Sequence, residues 1–344
     1  MSHGTTAISA ENRASLAFGE RVSRELVEAL RGRRSRLGLS RRMGYRSNIV
    51  RRWEAGECFP TAAAFLQACS RLRPQTARIF AGFFQRVPDW WEVSAGFTPA
   101  AIAAFLSDLR GKTPIGSIAN RTGFNRFSVG RWFTGKAEPR LPEFLCLVEA
   151  CSRRMLDLIA GIVNPADLPS MKDDWQRLTA ARQAAYEVPW SHAVLRALEL
   201  DRSARGRTSH FIAQRLGIDV SQVVSGLSAL ERTGQIRKVG RAWRVDHVLS
   251  VDTSGDPQGA RQLKVAWAEV ALERLRAGHR GNFGYSLFAV SRRDLRRLRD
   301  LHLEYVRAMQ SLIAESSPGE CVGLYCAQLM DLATSQNALE PKPA

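Results

Sequence analysis

Phe18, Val22, Leu26 and Leu30 recur every four residues, which puts them on one face of a helix. A second short helix is expected from about Arg36 to Met43, stopping at Gly44, since glycine readily ends helices. A third is expected from about Ser47 to Trp53, with Val50 and Trp53 facing inward, ending before Gly56. Pro60 then leads into a fourth, Thr61–Ser70, carrying Ala64, Phe65 and Ala68. Two short helices broken by a glycine turn, the second exposing polar side chains, is helix-turn-helix order.

The pattern returns 79 residues later. At that shift Leu30-Arg31-Gly32 meets Leu109-Arg110-Gly111, and Arg42-x-Gly44-Tyr45 meets Arg121-x-Gly123-Phe124. Arg52-Trp53-x-x-Gly56 meets Arg131-Trp132-x-x-Gly135, Pro60 meets Pro139, and Phe65-Leu66 meets Phe144-Leu145. Two copies of one module are therefore expected, near 18–75 and 97–155. Val87-Pro-Asp-Trp-Trp-Glu reads as an aromatic link packing them together, and Asn164-Pro-Ala-Asp-Leu-Pro169 as a boundary.

The stretch from Leu39 to Pro60 resembles the Cro/C1-type helix-turn-helix family of repressors. The turn glycine Gly44, the apolar Val50, the run Arg52-Trp53-Glu54 followed by Gly56, and Pro60 all fall in register. Ile118 to Pro139 resembles it too, departing at Phe133, where the first copy has Glu54, and at Gly130 inside the third helix. The resemblance implies that the third helix enters the DNA major groove. Base readers would then be Arg46, Ser47, Asn48 and Arg51 in the first copy. In the second they would be Asn125, Arg126, Phe127 and Ser128. Arg pairs well with guanine and Asn with adenine. Arg36, Arg41 and Arg52, with Arg131 and Lys136, complete the expected contacts. The readings that compete are a solvated surface for any one arginine, and core packing for Trp53 and Trp132.

Downstream, a helix is expected over about 171–186, then Ser191–Leu200, Thr208–Leu216 ended by Gly217, and Val220–Thr233 ended by Gly234. Ile236 to Val245 alternates about Gly240 as a β-hairpin does. Three helices and a hairpin is winged-helix order, and Ile212 to Ile236 resembles that superfamily. The hairpin is basic, with Arg237, Lys238, Arg241 and Arg244, whereas the preceding helix offers only Ser221, Gln222, Ser225 and Ser228 before Arg232. The fold serves both DNA contact and dimerisation, so both roles stay open.

The tail reads helix (Leu263, Trp267, Val270, Leu275), strand (Phe283–Val290), helix and strand (Cys321–Leu329). Ser291-Arg-Arg-Asp294 is a capping box opening the longer helix, which runs to about Ser316. Along it Leu295, Leu298, His302, Tyr305, Met309 and Leu312 make a coiled-coil-like stripe, which suggests a homodimer. From Tyr186 to Leu332 the chain is similar to the second half of a poorly characterised bacterial family, described as candidate transcriptional regulators. The similarity rests on Tyr186-x-x-x-Trp190-x-His192, Leu287-Phe-Ala-Val-Ser291 and Val322-Gly-Leu-Tyr-Cys-Ala-Gln-Leu329.

Charge sharpens the picture. The chain carries 50 Lys and Arg against 33 Asp and Glu, a net +17. Only six of the basic residues are Lys, which codon bias explains; the shortage of acids is not so explained, and it points to a polyanionic partner. Residues 21–60 hold eleven basic side chains against four acidic. No window of the sequence suits a membrane span, and the opening residues lack a secretory pattern, so a cytoplasmic protein is expected. Cysteines 58, 69, 146, 151, 321 and 326 form no C-x-x-C and no zinc pattern. The spacing of Cys146 with Cys151, and of Cys321 with Cys326, would suit a thiol sensor. Gly111-Lys112-Thr113 lacks the earlier glycine of a P-loop, since position 106 is Leu.

The expected fold is mainly α: tandem helix-turn-helix bundles (14–86 and 97–163), a winged helix (170–249) and a small α+β C-terminal domain (258–333). The expected function is sequence-specific binding of double-stranded DNA by a homodimeric transcriptional regulator, with no enzyme activity, metal, cofactor or membrane, and no effector assigned. The alternative is a protein-interaction module, antitoxin-like or an adaptor for polymerase.

Overall fold

The computed structural model describes residues 15–83, 90–91, 96–200, 207–240, 242–246, 256–316 and 318–332. Four helices build the first copy: α1 (Leu16–Arg31), α2 (Arg36–Arg42), α3 (Ile49–Glu54) and α4 (Ala62–Leu72). After α5 (Ile79–Phe83), the second copy repeats them as α6 (Pro99–Arg110), α7 (Ile115–Thr122), α8 (Arg126–Phe133) and α9 (Leu141–Ser152). Gly44 and Gly123, which turn the chain toward α3 and α8, sit at φ 88° and 71°, a region that residues with a Cβ enter at a cost.

The likeness extends to individual contacts. Tyr45 meets Trp53 edge-on at 5.6 Å and 85°, and Phe124 meets Trp132 at 5.5 Å and 84°. Val50 and Val129 are fully buried, as are Leu39 and Ile118. Sequence periodicity places the start of α3 two residues too early: Ser47 lies ahead of the helix and Asn48 caps it, its Oδ1 accepting from the Arg51 amide at 3.4 Å. A cap residue needs non-helical backbone, so the helix cannot include it.

The two copies share one core. Buried side chains form a single cluster from Phe18 to Ala181, continuing through α10 (Met155–Ala160) and α11 (Lys172–Glu187). At its centre Phe80 of α5 stacks on Phe105 of α6 at 4.0 Å, with Trp91 and Phe97 each 5.1 Å from Phe80. Of the aromatic link, Trp90 and Trp91 fall among the described residues, and Trp90 Nε1 donates to Asp108 at 2.8 Å. Between the copies α1 packs on α9, α4 packs on α6, and Thr61 opposes Arg140 in an isolated antiparallel bridge.

A second cluster belongs to α12 (Trp190–Leu200), α13 (Ser209–Leu216), α14 (Val220–Arg232) and the hairpin of β1 (Ile236–Val239) with β2 (Ala242–Val245). The strands pair antiparallel with Ile236 opposite Val245 and Val239 opposite Ala242. Two further helices follow, α15 (Pro257–Arg276) and α16 (Arg292–Glu315), the latter opened by the Ser291 cap.

The protein is mainly α with one small sheet among the described residues. The expected C-terminal strands are a correction: Phe283–Val290 and Cys321–Leu329 lie outside that sheet. Alternating sequence sets a strand's faces, but only a second backbone can supply its ladder.

Candidate nucleic-acid interface

In the first copy the residues around α3 divide by which way their surroundings let them act. Val50 and Trp53 anchor the helix in the core, which turns the opposite face to solvent. Arg46, Ser47, Arg51 and Arg52 are exposed there, and Asn48 is half-buried. With Oδ1 of Asn48 holding the cap, its amide nitrogen remains the group suited to a base edge. Arg51 donates to Glu57 at 2.9 Å, and Arg52 lies 3.4 Å from the same carboxylate. Both guanidinium groups are therefore already paired with a carboxylate, a pair that contact with a base or a phosphate must share or break. Glu57 carries no motif signal, because the turn that brings it back to Arg51 exists only in the folded chain.

Arg36 has a partner within the fold. Its Nε and that of Arg31 both donate to Glu54 at 2.5 Å, and the Glu54 side chain is only 7% exposed. The charge needed to neutralise this carboxylate is local, so Arg36 braces α2 against α3 while its side chain stays about half exposed. Arg41 is exposed.

The second copy replaces this ion pair. Arg110, the counterpart of Arg31, lies over the ring of Phe133, the counterpart of Glu54, at 5.6 Å. A cation over an aromatic face substitutes for the carboxylate, and Phe133 is buried. The departure of Phe133 from the repeat is thus a change of brace. Asn125 caps α8, its Oδ1 accepting from the Phe127 amide at 2.8 Å. Arg126, Arg131 and Lys136 are exposed and Ser128 is half-buried. Phe127 is 82% exposed at the start of α8. Arg121 donates to the Ala150 carbonyl at 3.0 Å, which engages it at the end of α9.

On the hairpin Arg237 pairs with Asp246 at 3.0 Å, and Lys238 lies 5.8 Å from the centre of the Trp243 ring. Arg241 lies outside the described residues. On α14 the Gln222 side chain accepts from the Asp219 amide at 3.2 Å, completing a capping box and occupying an otherwise eligible reader.

The cysteines do not form a reactive pair on α9. Burial pushes both the Cys146 and the Cys151 thiol up to about 12, far from the thiolate that a sensor requires. Among the described residues no helix is long and apolar enough to cross a membrane.

The tail, whose Trp267 meets Trp190 of α12 at 5.3 Å, falls within a recognisable unit. Residues 170–329 match the family described as a domain of unknown function, DUF4423. That DUF4423 region runs from just before α11 through the hairpin and α16, leaving the two repeated copies outside it. No curated protein and no solved structure matches this chain.

Proposed function

We propose that this protein is a sequence-specific double-stranded DNA-binding regulator of transcription, acting in the cytoplasm and without a catalytic step. The observation that carries the reading is the twofold occurrence of one arrangement. In each copy a short helix follows a glycine turn, buries a valine, packs a tryptophan against the core (Trp53 buried, Trp132 half-buried), and leaves polar and basic side chains exposed at its start. Arg46, Asn48 and Arg51 supply the main base contacts, and Arg41, Arg52, Arg131 and Lys136 neutralise phosphate. The resemblance to Cro/C1 repressors and the net +17 charge support the same reading. Fluorescence anisotropy with duplexes of varied sequence and salt tests it. Replacing Arg46 or Arg51 with Ala should cost ~1–3 kcal/mol on the preferred site and far less on random duplex. Equal losses on both would remove the base-reading assignment.

The partner we propose for the tail is a second copy of the chain. Among the described residues from 258 to 332 only Ala260 and Leu263 are buried apolar residues, while Tyr285, Leu287, Leu301, Tyr305, Leu312 and Leu332 are among the large side chains more than half exposed. A stable interface buries roughly 800 Å² per partner, and these exposed apolar side chains are what such an interface would cover. Charge favours an antiparallel pairing of α16 with itself. Its first half has five arginines against Asp294 and Asp300, whereas its second half has Arg307 against Glu304 and Glu315. Light scattering should show a dimer, and Leu301→Asp with Leu312→Asp should weaken association at least a hundredfold while the helical circular dichroism is kept. A monomeric native protein at high concentration would overturn this partner.

A further inference from the structure

The bridge between the copies has a symmetry that a simple tandem array lacks. The Ala62 amide donates to the Pro139 carbonyl at 3.0 Å, and the Leu141 amide donates to the Pro60 carbonyl at 2.9 Å. Residues 60, 61 and 62 are the counterparts of 139, 140 and 141 at the shift of 79. Equivalent residues therefore exchange equivalent bonds across an antiparallel pair, as a local two-fold axis between Thr61 and Arg140 requires. One pair of helix contacts follows the same operation, though α9 packs more extensively on its neighbours than α4 does. Helix α1 packs on α9, and the counterpart contact, α4 on α6, is also made. A translation along the chain would have paired unlike positions.

The axis relates α3 to α8. We infer that a single chain reads an imperfect inverted repeat, one half-site under each copy, with the two halves chemically unequal. This deepens the DNA-binding reading above and rests on it. Two-fold proteins bind half-sites about one helical turn apart, roughly 34–36 Å. Each helix would then lie about 17 Å from the axis. Ten residues separate Arg51 from Thr61 on the axis, a reach of at most ~35 Å, so the spacing is available to the chain.

Unlike a homodimer, this pair cannot have identical readers. The first half faces Arg46, Asn48 and Arg51, groups that bond guanine and adenine edges. The second faces Asn125, Arg126 and the exposed ring of Phe127, whose position at the start of α8 suits an apolar contact with a thymine methyl. The site therefore has a direction, fixed by which copy lies on which half.

Selection of bound duplexes from a random pool by the full chain tests the inference. The expected motif is two inverted half-sites with centres 10–11 base pairs apart, a thymine preference in one half, and one chain per motif. Inserting five base pairs between the halves should weaken binding at least tenfold, because the second half rotates to the far side of the duplex. Phe127→Ala should abolish the thymine preference in one half and leave the other half unchanged. A direct repeat, or a lone half-site insensitive to the insertion, overturns the inference while leaving DNA binding intact. No salt-dependent duplex binding at all overturns both readings.

Discussion

Phe80→Ala should destabilise the protein by ~3–5 kcal/mol, read as a lower urea midpoint at unchanged slope. Phe80 is wholly buried and stacks on Phe105, with Trp90, Trp91 and Phe97 edge-on around it. Removing the ring leaves a cavity among rings too rigid to collapse into it. Phe80 reaches the core from α5, the helix between the copies, while Phe105 belongs to the second copy. The loss therefore falls on the joint that fixes α3 relative to α8. Phe80→Leu, which keeps most of the volume, should cost appreciably less. A loss below 1 kcal/mol for the alanine variant would show that the aromatic cluster does not bind the copies together.

Acid should remove ~3 kcal/mol of stability through one histidine, His192 on α12. Its Nε2 is shut off from water with no hydrogen-bond partner. Burial, and secondarily the charge of Arg196, lowers its pKa from 6.5 to about 4. The folded protein thus holds His192 neutral while the unfolded chain takes up a proton below about 6.5. The stability is fully present above that pH, declines as the pH falls, and levels off below about 4. The size follows from 1.36 kcal/mol for each unit of pKa difference. Urea melts at pH 7.5, 5.5 and 4 on the wild type and on His192→Gln should diverge with falling pH, the variant losing less. Parallel curves would exclude His192 as the source.

Much of the helical architecture was legible because its signals are local. Glycines at the turns, apolar residues every three or four positions and the shift of 79 mark α1 to α4 and α6 to α9 without reference to neighbours. The hairpin about Gly240 was equally plain. Local signals also mislead at element ends: Ser47 and Asn48 carry a helix-like spacing, yet Asn48 is worth more as a cap than inside the helix. Arg36 was placed among the expected DNA contacts because it is basic and close to the motif, and only the folded chain shows that Glu54 holds it.

The sequence by itself determined that the protein is mainly α, that its first half is a duplicated module, and which face of each third helix is polar. These depend on residues a few positions apart, where backbone geometry alone fixes the relation. Tertiary structure decided which of the basic residues are braced and which are displayed, as with Arg36 and Arg121 against Arg46 and Arg126. It also decided that the two copies face each other across Thr61 and Arg140 instead of following one another. A repeat in sequence fixes what each copy is, but its orientation depends on long-range packing of α1 on α9 and α4 on α6, which no local periodicity encodes. For the same reason alternation in Phe283–Val290 and Cys321–Leu329 did not make a sheet, since a strand's partner is a tertiary fact.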